Sequence, residues 1–212
     1  MSKKIIKYSV SVLLVIFIAY HSIYFKKLDE YKLANAAKGF DAGKYAQDFY
    51  KNKLTPRLDS AIEIGLLLNQ LNTNPEKAFN DYSHALDIGN IRYFLVRGEG
   101  VVSTKTDDAV GILLNNDPKK QNIKIATEFI YGNAIRDASG LIHLDEFTNT
   151  TEFNDVSESI NRIVRKEVVP AFKAVVKPGM VVKFTGALEL NQAHIRLDSI
   201  ELVPIRLSIS NP

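Results

Sequence analysis

Cysteine and tryptophan are absent from the 212 residues, and methionine occurs twice. Without cysteine there is no disulfide, no thiol nucleophile and no thiolate metal site. The lipid of a lipoprotein, which is carried on a cysteine, has no attachment point at this terminus either. Histidine is scarce: His21, His84, His143 and His194 fall on separate predicted elements, and none forms an H-x-x-x-H or H-x-H pair. No metal and no cofactor is expected. There is no Gly-x-Ser-x-Gly elbow, no P-loop and no dinucleotide turn. Gly98-Glu99-Gly100 lacks the third glycine and the following helix, and reads instead as a sharp bend in a strand. The acidic pairs Asp107-Asp108 and Asp145-Glu146 lie in turn-like sequence, with no sign of the burial or like-charge neighbour that shifts a catalytic carboxylate. No catalytic residue is expected, and the chain reads as non-enzymatic.

One long apolar run is present. Tyr8 to Phe25 carries no Asp, Glu, Lys or Arg and is flanked by Lys3, Lys4 and Lys7 before it and by Lys26 and Lys27 after it. As a helix its eighteen residues would extend about 27 Å, close to the bilayer core of about 30 Å. The expectation is a single-pass membrane helix within residues 1–27, with residues 8–25 in the bilayer and everything after about residue 27 outside the cytoplasm. A secretory signal peptide competes, because the lysines form a basic n-region. The small-residue pattern of a cleavage site is missing directly after the run, and Ala34-Asn35-Ala36 supplies it only beyond a charged segment.

Charge changes the reading of the remainder. Five of the 27 Lys and Arg flank the apolar run, whereas all 24 Asp and Glu come later, so residues 28–212 carry a net charge of −2. That part lacks the positive excess of a nucleic-acid binder, and no nucleic acid is expected as a partner.

Residues 28–90 read as a linker and three helices. Asp41 precedes a stripe of Ala42, Tyr45, Ala46, Phe49 and Leu54. A second helix is expected from about Pro56 to Leu71, and a third follows Asn74, its cap, with Pro75 at the first position. From Arg92 the hydrophobic period becomes two. Strands are expected at about 92–104, 109–115 and 122–131, with Phe129 and Tyr131 on the inward face of the third. A glycine-bounded turn from Gly132 to Gly140 comes next, then a short strand at 141–144. A helix capped by Asn154 is expected to end at Pro170. Two further strands follow Lys177-Pro178-Gly179, the last with a bulge or bend near Asp198-Ser199. Three strands, one helix and two strands is the order of an OB-type barrel. The predicted fold is α+β: an N-terminal transmembrane helix, a short helical region, and a five-stranded OB-like barrel over 91–212 with one helix between strands 3 and 4.

The densest polar segment is Gly132-Asn133-Ala134-Ile135-Arg136-Asp137-Ala138-Ser139-Gly140. Asn, Asp, Ser and Gly are turn formers, and Arg136 and Asp137 could pair with each other. Presented on a turn at the barrel mouth, Asn133, Arg136, Asp137 and Ser139, with Asn149 and Asn154 on the same rim, could instead grip a hydroxyl-rich or carboxylate ligand.

At these residues the chain resembles a family. Phe40-Asp41-Ala42 with Tyr45-Ala46, Phe94 through Gly98, Gly100-Val101-Val102, Gly132 through Gly140, Glu146-Phe147-Thr148-Asn149, and Val182 through Ala187 with Leu190-Asn191 are similar to an uncharacterised bacterial family of predicted periplasmic lipoproteins whose genes often lie beside sugar ABC transporters. The resemblance spans about residues 38–209 and implies no activity. It implies an extracytoplasmic binding or accessory protein, with components of a sugar ABC transporter or a substrate-binding protein as partners. The alternatives are an envelope scaffold or assembly factor using the helices over 41–86 as a protein interface and, less favoured by charge, an OB-type nucleic-acid binder.

Overall fold

The structure, a computed structural model, describes residues 3–22, 39–86, 89–115 and 121–210. Ala34-Asn35-Ala36 and the end of the apolar run lie outside the described residues. The chain forms two compact units, Met1–Asp41 and Ala42–Pro212.

The described residues of the first unit include the helix α1 (Lys3–Ser22). Among the described residues no helix is long and apolar enough to cross a membrane, and this overturns the expected transmembrane helix over residues 8–25. The reason is visible in the sequence of α1. Lys3, Lys4, Lys7, Ser9 and Ser11 all fall within it, so its unbroken apolar stretch is Val12–Ala19, eight residues. That stretch rises about 12 Å, less than half of a hydrocarbon core of about 30 Å.

The second unit begins with α2 (Ala42–Asp48), which continues through a π-helical turn (Phe49–Leu54) into Thr55–Arg57 and a 3-10 turn (Leu58–Ser60). The expected helix from Pro56 to Leu71 is broken here. Ala61 leaves the helical region (ψ 139°), and β1 (Ile62–Glu63) pairs in parallel with Val96 and Arg97. Then α3 (Ile64–Thr73) starts on Glu63, whose Oε2 accepts from the Leu66 N–H at 2.8 Å. Asn74 caps α4 (Pro75–Tyr82) as expected, its Oδ1 accepting from the Lys77 N–H at 3.1 Å. The chain then leaves the helix earlier than expected, because β2 (Ser83–His84) pairs with Phe94 and Tyr93.

Five strands close the barrel: β3 (Ile91–Lys105), β4 (Ala109–Leu114), β5 (Asn122–Ala126), β6 (Val181–Asn191) and β7 (Ile200–Ser210). The ladder runs β3-β4-β5-β7-β6 and returns to β3, with β5 and β7 parallel and the other four pairings antiparallel. Strand β3 can serve both sides because it bends at Gly100, which faces Leu114 of β4 and Val182 of β6 at once. A Cβ on Gly100 would run into the Leu113 carbonyl oxygen, so only glycine allows that approach.

Inward rows follow the predicted alternation: Phe94, Val96 and Val102, Ile112 and Leu114, Ile123 and Ile125, Val182, Phe184, Leu188 and Leu190, with Ile200 and Leu202. Helices α3 and α4 add Ile64, Leu67, Leu68, Leu71, Ala78 and Phe79 to the same core. Those helices therefore bury their apolar faces within the domain.

Several local expectations are corrected. Strand β5 stops at Ala126, because the Thr127 N–H turns to the Asp108 carbonyl at 2.7 Å; Phe129 and Tyr131 are exposed and Ile130 is buried instead. No strand forms at 141–144, where a 3-10 turn (Leu144–Glu146) follows. Asn149, not Asn154, caps α6 (Thr150–Ile163). Pro170 does not end the helical run. A π-helical turn (Val164–Val168) precedes it, so the proline enters the first turn of α7 (Val169–Val175), where a missing N–H costs nothing. Asp198 and Ser199 form the expected bend, just ahead of β7, and a register shift that was not expected falls inside β7 at Ile205, opposite Thr185 and Gly186. Pro204, which has no N–H to give the ladder, sits beside that bulge.

Candidate functional site

The segment Gly132–Gly140 is a helix, not a turn. Ala134–Ser139 forms α5, and Gly140 (φ 62°) ends it as a left-handed cap. Helix α5 lies across β3 and β6 and buries its polar side chains. Arg136 is 1% exposed and Asp137 7%. They pair side by side, Nε to Oδ1 at 2.7 Å and Nη2 to Oδ2 at 3.1 Å. The third arm of the guanidinium, Nη1, donates to the Phe153 carbonyl at 3.2 Å, and its carbon lies 3.5 Å from the centre of the Phe153 ring. The Phe153 ring meets Phe147 at a tilt of 59°, and Phe147 meets Tyr45 edge-on at 62°, each pair with centroids 5.4 Å apart. The column ties α2, α5 and α6 together. Tyr45 donates to Glu146, and burial, then the Glu146 charge, push its phenol up to about 12.

Among the other candidates, buried Ser139 donates to the Arg136 carbonyl at 2.6 Å and accepts from the Leu141 N–H at 3.1 Å. Asn133, half-buried, begins α5, and its carbonyl accepts from the Asp137 N–H at 2.9 Å. Asn149 is exposed and spends its Oδ1 on the Glu152 N–H at 3.0 Å. The structure thus brings Arg136, Asp137 and Ser139 together, but facing the interior. Asn149 stands apart as a helix cap.

Polar groups converge elsewhere, on the outer wall formed by β3, β6 and β7, where Arg97, Lys183, Arg206 and Ser208 are exposed and Thr185 lies buried between them. The register aligns Arg97 with Thr185 and Arg206 in one row, and Glu99 with Lys183 and Ser208 in the next. These rows, with Glu63, line a cleft of about 430 Å³, within the usual range for small-ligand sites. Its carboxylates are engaged. Glu63 caps α3, while Glu99 accepts from Lys183 at 3.4 Å and from Asn115 at 3.3 Å. The two guanidiniums meet at Asp59: Arg206 Nη2 reaches its Oδ1 at 2.9 Å, and Arg97 Nη1 its backbone carbonyl at 3.3 Å. Asp59 is an exposed counter-ion, and such pairs are worth little against solvent. The row can therefore exchange Asp59 for an anionic or hydroxyl-bearing ligand, which two forked donors flanking a threonine are suited to hold.

Sequence reasoning missed these residues. Alternation marked Lys183 and Thr185 as outward positions, but their meeting with Arg97 and Arg206 depends on a register between distant strands. The outer face of β4 and β5, where OB folds bind oligonucleotides, carries Gly111, Leu113, Asn122 and Lys124 and no aromatic ring. Among the described residues no group of three His, Asp or Glu stands close enough to hold a metal ion.

A family model described as Predicted periplasmic lipoprotein (DUF2291) matches residues 13–208. The chain belongs to this family. As a predicted periplasmic lipoprotein it is extracytoplasmic and membrane-associated, although none of its residues is cysteine. The crystal structure of an OB-fold protein from Thermotoga maritima is similar over 81% of this chain and 99% of that one, with a TM-score of 0.72 and 27% identity. The likeness supports the five-stranded barrel. No curated protein matches the chain. The polar run that most resembles the family, Gly132–Gly140, is the buried helix α5, so what that run specifies in this chain is internal packing.

Proposed function

We propose that this periplasmic lipoprotein family member is a non-enzymatic binding protein that holds a small ligand in the outer-wall cleft. The observation that carries the reading is the Arg97–Thr185–Arg206 row, two exposed guanidiniums flanking a buried threonine along one cleft of about 430 Å³. Association with a sugar ABC transporter is the finer part of the proposal and rests on the resemblance alone. The scaffold alternative is less favoured, because α3 and α4 commit their apolar faces to the barrel core and leave isolated residues such as Leu66 outside.

The test is a thermal-shift and calorimetry screen with sugars, sugar phosphates and carboxylates. A ligand present at a hundredfold over its Kd should stabilise by about 2.7 kcal/mol, raising Tm by about 5–10 °C in a domain of this size. Arg97→Gln and Arg206→Gln should each abolish the shift. Stabilisation unaffected by both variants, or by no compound at all, refutes the cleft as the site. Failure to recover any transporter component on pulldown from solubilised membranes refutes the transporter link separately.

A further inference from the structure

We propose that the ligand of this cleft is an amphiphile, a single acyl chain ending in an anionic group. The proposal rests on the cleft reading above and names the ligand class. A second pocket, of about 450 Å³, adjoins the cleft and shares two of its residues, Arg206 and Ser208. Its walls are of the opposite character. Leu58, Val168, Phe172, Val175, Leu207 and Ile209 line it, between α7 and the edge of β7. Val175 is 52% exposed at this surface, an apolar side chain without the cover that the rest of the α7 stripe has.

Strand β7 explains how one strand serves both pockets. Beyond the bulge at Ile205, Leu207 and Ile209 turn toward the barrel interior while Arg206 and Ser208 point outward. A slot therefore runs beside the strand from Ile205 to Ile209, about 13 Å at strand rise, with Arg206 at the boundary between oily and charged ends. The Tyr50 hydroxyl already donates to the Ile205 carbonyl at 2.5 Å, so a linear chain without hydrogen-bonding groups suits that wall. Glu167, also on the wall, accepts from Gln47 at 3.4 Å. Charge selects the head group. Among the described residues Arg206 and Arg97 share Asp59, and a carboxylate or phosphate monoester placed there takes over the role of the Asp59 side chain. Polar groups at one end and hydrocarbon at the other match neither a free sugar nor a purely apolar molecule.

The experiment is calorimetry on the full chain with acetate, octanoate, dodecanoate and neutral dodecanol, all below their aggregation limits. Each buried methylene should tighten binding by up to about fourfold, so dodecanoate should bind at least tenfold more tightly than octanoate, and dodecanol more weakly than dodecanoate. Val175→Arg, at an exposed position that the fold tolerates, should erase the chain-length dependence. Arg206→Gln should weaken dodecanoate and leave dodecanol unchanged. Circular dichroism confirms that both variants are folded. Binding of short anions with no gain from chain length overturns the amphiphile and keeps the polar cleft. No binding by any anion overturns both. Dodecanoate affinity unchanged by both substitutions places the chain elsewhere and also overturns the proposal.

Discussion

Replacing Arg136 by methionine separates the charge of the buried guanidinium from its volume. In the native chain the side chain is 1% exposed and satisfies Asp137 through two hydrogen bonds, the Phe153 carbonyl through a third, and the Phe153 ring through its face. Methionine fills much of that space but leaves the Asp137 carboxylate, 7% exposed, without its counter-ion. Breaking one side of a buried pair costs about 3–5 kcal/mol, whereas replacing both partners by groups that pack is close to neutral. Arg136→Met should therefore lower stability by about 3–5 kcal/mol, or Tm by about 6–20 °C. Arg136→Met combined with Asp137→Leu should recover more than half of that loss. Urea unfolding followed by circular dichroism measures both, and a double-mutant cycle isolates the pair. A loss below about 1 kcal/mol for Arg136→Met, or a double variant as unstable as the two single losses added, would refute the claim that this pair holds α5 in place.

Gly140→Ala should cost about 1–2 kcal/mol for its left-handed backbone alone, and more because a Cβ there would stand 2.5 Å from Cε1 of His84. Thermal unfolding of Gly140→Ala with and without His84→Ala checks the contact; an equal cost in both backgrounds means that the imidazole is not what the methyl meets. His84 also predicts a pH dependence. Burial, and then the charge of Arg57, hold its pKa below the usual value, so on acidification the unfolded chain takes up the proton first. The stabilisation is complete above about pH 6.5 and is lost as pH falls through the folded value. The urea midpoint should drop more steeply below that pH for the native chain than for His84→Gln, and parallel curves would count against the shift.

Wherever spacing between near neighbours decides structure, the chain was legible. Alternation of Val182, Phe184, Leu188 and Leu190 against Lys183 and Thr185 marked the inner and outer faces of β6, because a pleated strand turns successive side chains to opposite sides. Asn74-Pro75 marked a helix start because an Asx side chain and a missing N–H both suit the first turn. The order of strands marked an OB barrel, although α5 and α7 join α6 between β5 and β6, where one helix was expected. Local reading misled at Gly132–Gly140, where turn-forming residues became a buried helix once β3 and β6 offered a surface for it. It misled at Pro170, which a preceding π turn accommodates, and at the N-terminus, where composition counted eighteen residues but Ser9 and Ser11 on one side and Tyr20 on the other leave only Val12–Ala19 unbroken. Arg97, Thr185 and Arg206 became neighbours only through the pairing of β3, β6 and β7. Sequence determined which side chains face out, since that depends on residues one or two positions away. Tertiary structure decided which of them share a cleft, since register between distant strands is set by the core they jointly bury.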